Sequence, residues 1–548
     1  MLLFFKHSPY SPAPTRETLS CLGGFGTAAE MVSLSFSLSA PRPIAHLELT
    51  PSDLEGPAGV IPRNCISLYI VKIWEQAGMG VYQSAPLRVA ELLLKDDRAP
   101  INDSYTRRGR CWHWKHLLRA SQIYEPPNVR LEGNACTSLG SYESKQVWVS
   151  VKIPADVEPG LYSGYLEAKT SDETCPLKRL ELQLEVLPIR LLQPEQDLFL
   201  WYKGTLDCRR PQHYLSKEIF RAQLQDIYDH GFRSISLNEY EPEHLQQAVN
   251  LAHSIGFNRN LVLTAPYPER FSKIDFKQLT PIYYISDEMD ARDEPAAISD
   301  HIEKWRRVRS AGGQTMSSLL RQTFARRFLR KDGIGCAPDL LSYYLPANLR
   351  YFLAYAEFQR LRAGKTYYYW QSHMEKPDVH RVLAGLYLWK SGADGIAPYC
   401  YQHLPKPPAS PFNDFDEWEP GFHLGTVRRR FKDHMTTYPA RAGSIPTLQW
   451  KGIADGIYDL RYLLTFDAAL KRAEACHSRS VQAFMSEARV RCEQFLNRIS
   501  LKEININSAT NSAPYKGIRS EEYAGFREQL ARDLVTLSAL MNRAELRR

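Results

Sequence analysis

No Cys-x-x-Cys pair occurs in this 548-residue chain, and its ten cysteines are scattered. Neither a zinc site nor a disulfide framework can be drawn from such spacing, so no metal and no cofactor is expected, and the cysteines read as mostly free and buried. No apolar run approaches the roughly 20 residues needed to span a bilayer. The N-terminal Met-Leu-Leu-Phe-Phe-Lys6 holds only five apolar residues, too few for the core of a signal peptide. The chain is therefore expected to be soluble, with no membrane partner, cytoplasmic by default, and secreted if the true start lies elsewhere, for example at Met31. Internal repeats and low-complexity tracts are absent. Charge of one sign is scarce as well: the excess is +8 over the whole length. The basic clusters Arg306-Arg307, Arg326-Arg327 and Arg428-Arg429-Arg430 lack interleaved aromatic residues and read as solvated faces, so no nucleic-acid partner is expected.

What is present suits a large globular protein. Hydrophobic residues make up 44% and charged residues 24%, enough to bury sizeable cores. The 30 Tyr and 10 Trp supply flat amphipathic rings suited to stacking on sugars, although most such rings belong to a core. Residues 1–40, rich in Ser, Pro and Gly, read as an irregular segment. From 41 to 195 the text is strand-like. Val147, Val149, Val151 and Ile153 alternate with Trp148, Ser150 and Lys152, and Leu180, Leu182, Leu184 and Val186 alternate with polar residues. Each predicts a strand with one buried face. Pro159-Gly160 marks a turn between them. An antiparallel β-sandwich is the expected architecture.

From residue 196 the period changes. Strand-like segments at 198–202, 234–237, 261–263, 282–285, 315–320, 340–345, 366–370 and 396–401 are each mostly followed by a helical stripe, the count a (β/α)₈ barrel needs. Ser216 reads as a helix cap and Gly231 as the stop of the same helix. A long segment rich in Pro and aromatic residues, 403–446, reads as a lid or binding loop. The expected organisation is a barrel over 196–470 followed by C-terminal helices over 471–548, making the chain a multidomain α/β protein.

The fourth of these strands organises the rest. In Pro281-Ile-Tyr-Tyr-Ile-Ser-Asp287-Glu288-Met-Asp290 a buried strand runs straight into adjacent carboxylates, and a helix opens at Pro295. One carboxyl group can stay protonated to serve a leaving oxygen while its neighbour stays ionised, because like charges side by side push their pKa values apart. The plain alternative is a solvated helix N-terminus, where acids suit the dipole. Successive strand residues face opposite ways. Asp287 and Glu288 can therefore serve one sugar only if the strand ends or bulges there.

Two further stretches carry a resemblance. Trp148-Val-Ser-Val-Lys-Ile-Pro154-x-Asp156-x-x-Pro159-Gly160-x-Tyr162-x-Gly164 is the first. The second is Tyr438-Pro439 … Ile445-Pro446-Thr447-Leu-Gln-Trp450-Lys-Gly452 … Gly456-Ile-Tyr-Asp459-Leu-Arg461-Tyr462-Leu463. With the acid strand, and in the same order over roughly residues 140–470, they resemble glycoside hydrolase family 123 and related β-N-acetylgalactosaminidases. The resemblance implies a sandwich, a catalytic barrel and a carbohydrate substrate. It also implies retaining, substrate-assisted removal of a β-linked 2-acetamido sugar through an oxazoline, with Glu288 as acid and then base and Asp287 holding the acetamido N–H. The chain departs from the family pattern at Lys451, where an acid is usual, and at Tyr458-Asp459, where paired acids are usual. Tyr202, Tyr369, Trp370, Tyr399, Tyr401 and Trp450 are the candidate walls of the sugar pocket, with barrel core as their plain alternative. Glu375, past strand seven near His373, offers a rival: a two-carboxylate retaining glycosidase using Glu288 and Glu375. A non-catalytic carbohydrate-binding relative is the reading from another class. Oligomeric state is left open, a homo-oligomer included.

Overall fold

The computed structural model describes residues 2–76, 87–99, 101, 127–170, 177–264, 268–288, 295–320, 338–348, 364–371, 376–404, 411–412, 422–424, 427–429, 434–506 and 513–546. Two sheets form the N-terminal sandwich. One runs β1 (Leu3–Lys6), β3 (Met31–Ser39), β10 (Ser144–Lys152), β7 (Ile66–Gln76) and β8 (Leu87–Leu94) in spatial order. The other runs β2 (Cys21–Gly26), β12 (Lys178–Val186), β11 (Gly160–Thr170), β4 (Ile44–Pro51) and β9 (Ala135–Leu139), with β5 (Leu54–Gly56) and β6 (Gly59–Ile61) at its side. Pairing is antiparallel except for β2, which lies parallel to β12. Residues 1–40 are thus not irregular: they supply three strands, one of them pairing in register with β10 from Met31 to Ser39. The four-residue β1 and the Gly-rich β2 carry little propensity of their own, and pairing decides them, whereas β3 alternates Ser with apolar residues, a strand pattern that composition alone hides.

The alternation in β10 and β12 fills the sandwich core. Val147, Val149 and Val151 face Leu180, Leu182 and Leu184, all fully buried, and each contributes about 1.5–3 kcal/mol by leaving water. The opposite face of β10 departs from the expected half-burial. Trp148 is buried as well, packed with Val71, Leu93 and Leu448, because the barrel's last helix covers that face.

Eight parallel strands close into the barrel: β13 (Asp197–Leu200), β14 (Ser234–Leu237), β15 (Asn260–Leu263), β16 (Thr280–Ser286), β17 (Gln314–Leu319), β18 (Leu340–Tyr344), β19 (Lys365–Tyr369) and β20 (Gly395–Ile396). The outer layer includes α1 (Lys217–Asp229), α2 (Pro242–Ile255), α3 (Pro295–Ser310), α4 (Pro377–Ala384), α5 (Leu386–Ser391) and α6 (Leu448–Glu474). Ser216 caps α1 by accepting the Ile219 N–H, and Gly231 follows with φ 98°, a left-handed backbone that suits glycine. At the N-terminal end of the barrel Asp197 accepts hydrogen bonds from Tyr367, Asn260 and Ser234, so this buried carboxylate is well supplied with donors. The helices α7 (Arg479–Leu496) and α8 (Ser520–Glu545) extend the same hydrophobic core. Among the described residues no helix is long and apolar enough to cross a membrane.

The helix α6 crosses the expected boundary at 470 and is the barrel's eighth helix. Its Gly452 and Gly456 abut the backbone carbonyls of Pro377 and Arg381 in α4, and a methyl group at either would collide with them. The segment before α6, expected as a lid or binding loop, is anchored to the sandwich in part of its described residues, and much of it lies outside the described residues. Phe412, Met435, Tyr438 and Ile445 pack on Trp74, Val89, Leu92 and Leu94 of the sandwich.

Candidate functional site

The strand β16 delivers the acid pair to the C-terminal end of the barrel. Ile282 and Tyr284 point into the lumen, whereas Tyr283 and Ile285 pack towards the helices. The register against β17 then shifts between Tyr284 and Ser286, and regular pairing stops. A bulge adds a residue and turns the following side chains. Glu288 completes the turn at φ 40°, a left-handed conformation that is uncommon away from glycine. Asp287 is exposed and Glu288 half-buried.

One serine ties the two acids together. Ser318, near the end of β17, donates its hydroxyl to Asp287 Oδ1 at 3.0 Å and accepts the Glu288 backbone N–H at 2.8 Å. Tyr284 also donates to Asp287 Oδ1, at 2.5 Å, and its oxygen lies 2.6 Å from Ser318 Oγ. With both donors gathered on Oδ1, Oδ2 is left to meet a ligand. Tyr369 donates to Glu288 Oε1 at 3.0 Å. Burial holds the phenols of Tyr284, Tyr369 and Tyr399 well above their usual range, and the nearby carboxylates of Asp287 and Glu288 add to it. These hydroxyls therefore stay protonated across any working pH and serve as donors.

The candidate walls divide by direction. Tyr369 and Tyr399 belong to the lumen cluster, together with Trp201, Tyr284 and Tyr344. Trp201 meets Tyr284 edge-on at 4.6 Å and Tyr399 at 6.3 Å, and Tyr344 lies 5.3 Å from Tyr369. Tyr202, Trp370, Tyr401 and Trp450 face the other way, into the layer between strands and helices. Tyr202 donates to Gln223, Trp370 to His380, and both Tyr401 and Trp450 to Asp226. These four are core, not pocket wall. For Tyr202 and Trp370 the reason is strand parity: each follows a lumen residue, Trp201 or Tyr369, and must face the opposite side, whereas Tyr401 lies beyond the end of β20 and Trp450 on α6. Trp201, Tyr284 and Tyr344, which also line the lumen, were missed, because parity separates neighbours on one strand but the closed barrel decides which of them faces inward. Ser318 gave no signal, because an isolated serine has no pattern. Glu375 and His373 lie outside the described residues.

Tyr399 makes one further contact. Its hydroxyl lies 3.0 Å from His403 Nδ1, and burial pushes that imidazole down to about 4, so the ring is neutral near pH 7. Among the described residues no group of three or more His, Cys, Asp or Glu is placed to hold a metal ion.

The two departures from the resembled family lie far from this site in kind. Lys451 and Tyr458 sit on α6 against the sandwich, the tyrosine oxygen accepting the Met31 N–H at 3.1 Å. Asp459 is buried between Arg381 and Arg527. Neither touches the acid pair.

An antiparallel-rich sandwich, a closed eight-stranded barrel and a helical C-terminal extension define a multidomain α/β protein with its acids at the barrel mouth. The same architecture recurs in a solved family 123 glycoside hydrolase from Clostridium perfringens, studied for glycolipid glycan hydrolysis. It superposes with a TM-score of 0.63 at 12% identity over 100% of both chains. The likeness is one of fold. A family 5 xyloglucanase from Bacteroides ovatus (TM-score 0.30, 8% identity, 80% of this chain and 98% of that one) aligns too loosely to carry an argument. So does a β-glucuronidase from Ruminococcus gnavus (0.31, 7%, 83% and 96%). No protein-family model and no curated protein matches the sequence.

Proposed function

We propose that this chain is a glycoside hydrolase that removes a β-linked 2-acetamido sugar, N-acetylgalactosamine above others, with retention and with help from the substrate itself. The observation that carries the reading is the acid pair: the bulge after Tyr284 brings Asp287 and Glu288 to one serine beside the lumen aromatics. In this reading the acetamido carbonyl oxygen attacks the anomeric carbon while Glu288 gives its proton to the departing glycosidic oxygen. The C–O bond to the aglycone breaks and an oxazolinium forms. Asp287 accepts the acetamido N–H and offsets the positive charge growing there. Its two hydroxyl donors fix the carboxylate before substrate arrives. The Tyr399 hydroxyl, which has no carboxylate partner among the described residues, serves the acetamide oxygen. Glu288 then takes a proton from water as that water opens the ring, restoring both acids.

A panel of nitrophenyl glycosides with and without the 2-acetamido group tests this. Nitrophenol should appear from the 2-acetamido β-galactoside and stay near background from its 2-hydroxy counterpart. Glu288→Gln should lower kcat by about 10²–10⁴-fold, and a thiazoline mimic of the oxazoline should inhibit. Equal turnover of both sugars, or loss of activity in Glu375→Ala, would overturn the substrate-assisted step.

A further inference from the structure

A second cluster of charge lies away from the barrel mouth, where the sandwich meets the barrel. A cavity of about 260 Å³ opens there, lined by Tyr69, Lys95 and Arg130 of the sandwich and by Asp226, Tyr401 and Lys451 of the barrel. Lys95 follows β8 and is 5% exposed. Its ammonium lies 4.2 Å from the centre of the Tyr69 ring. Lys451 is equally buried and donates to His230 Nε2 at 3.1 Å. That imidazole presents Nδ1 to the Asp226 backbone oxygen at 2.7 Å, so Nδ1 carries the proton and Nε2 accepts. Lys451 therefore stays a donor with N–H groups to spare. Arg130, exposed at the rim, spends one nitrogen on the carbonyls of Lys95 and Asn134.

The charges do not balance. Three basic side chains line the cavity, against two acids, Asp226 and the exposed Glu132. Asp226 Oδ2 is already taken by Tyr401 and Trp450, and Oδ1 lies 3.2 Å from His230. Among the described residues no carboxylate lies within 4.0 Å of the side-chain nitrogens of Lys95, Arg130 or Lys451. Burying an ammonium without an anion costs several kcal/mol. Burial, with Arg130 and Lys451 nearby, already pushes Lys95 down to about 8, and burial lowers Lys451 too, with Asp226, Asp455 and Asp229 opposing it at longer range.

We propose that this seam is a binding site for a small oxyanion, a sulfate or phosphate group, held by Lys95 and Arg130 from the sandwich and by Lys451 from the barrel. The anion supplies the missing negative charge and bridges the two domains. The site stands apart from the proposed glycosidase chemistry, so either can fail alone.

Sodium sulfate titrated into the full chain, against sodium chloride at equal ionic strength, tests it by calorimetry and thermal unfolding. Saturable binding heat and a higher unfolding midpoint with sulfate are expected. The affinity should fall about tenfold or more, and the midpoint shift should shrink, in Arg130→Gln, a rim change that leaves the core intact, and in Lys95→Met. Sulfate keeps its charge with pH, so its affinity should fall as pH rises through about 8 and Lys95 loses its proton. Glucose 6-sulfate in parallel separates two sources: tighter binding than inorganic sulfate assigns the site to a sugar ester, and weaker binding to the free ion. No saturable heat with either, or equal binding by wild type and Arg130→Gln, would overturn the site.

Discussion

At the scale of single residues, Ser318 does more than its size suggests. Its oxygen accepts the backbone N–H of Glu288 and its proton reaches Asp287, so one side chain sets the relative position of two acids. It is a positioning residue in the proposed reaction. Ser318→Ala should lower kcat by roughly 10- to 100-fold, the usual effect of small misplacement, with KM little changed. Ser318→Thr should restore part of the rate, because the hydroxyl returns. A loss confined to KM would assign Ser318 to substrate binding instead. Neither outcome requires a change in fold, which circular dichroism checks.

At the scale of elements, α6 explains a sequence motif that looks functional. Gly452 and Gly456 permit close packing on α4, Trp450 stacks on Phe232, and Asp459 pairs with Arg381 and Arg527. The motif encodes how the eighth helix seats, not the chemistry. Burial alone raises the Asp459 pKa, but the two guanidinium groups outweigh it and leave the carboxyl below its usual value. Asp459→Asn should cost about 3–5 kcal/mol at pH 7, since two buried cations lose a partner. Urea unfolding measures it. The contribution exists above the unfolded pKa of about 3.9 and disappears as pH falls through the lower folded value. The gap between wild type and variant should therefore close in acid, and a gap that widens would contradict the pairing.

At the scale of the whole molecule, the sandwich and the barrel share a buried seam. Trp148 of β10 and Leu448 of α6 meet there. Lys152 bonds Asp229, and Glu30 accepts from Tyr462 at 2.9 Å. Trp148→Ala should cost about 3–5 kcal/mol, and calorimetry should resolve separate melting of the two domains where wild type melts as one. A single transition at the wild-type midpoint would show that the seam does not couple them.

The sequence alone showed eight barrel strands from short apolar runs, the acid pair after the fourth, and the sandwich strands with clean alternation from period two, because both patterns are local and survive without tertiary context. The bounds of the eighth strand were not legible in this way: expected over 396–401, it is observed at Gly395–Ile396. The sequence did not reveal the strands within residues 1–40: β2 and β3 pair with β12 and β10, more than a hundred residues away, and β1 then pairs with β3. Nor could it separate Tyr369 from Trp370 or Trp201 from Tyr202: both rings in each pair are apolar, and only the closed barrel decides which faces the lumen. The bulge that turns Asp287 and Glu288 to one side belongs to the register between two strands, a relation between distant segments. Local pattern names the elements, whereas pairing and packing settle which way each side chain points, and chemistry at the barrel mouth depends on that direction.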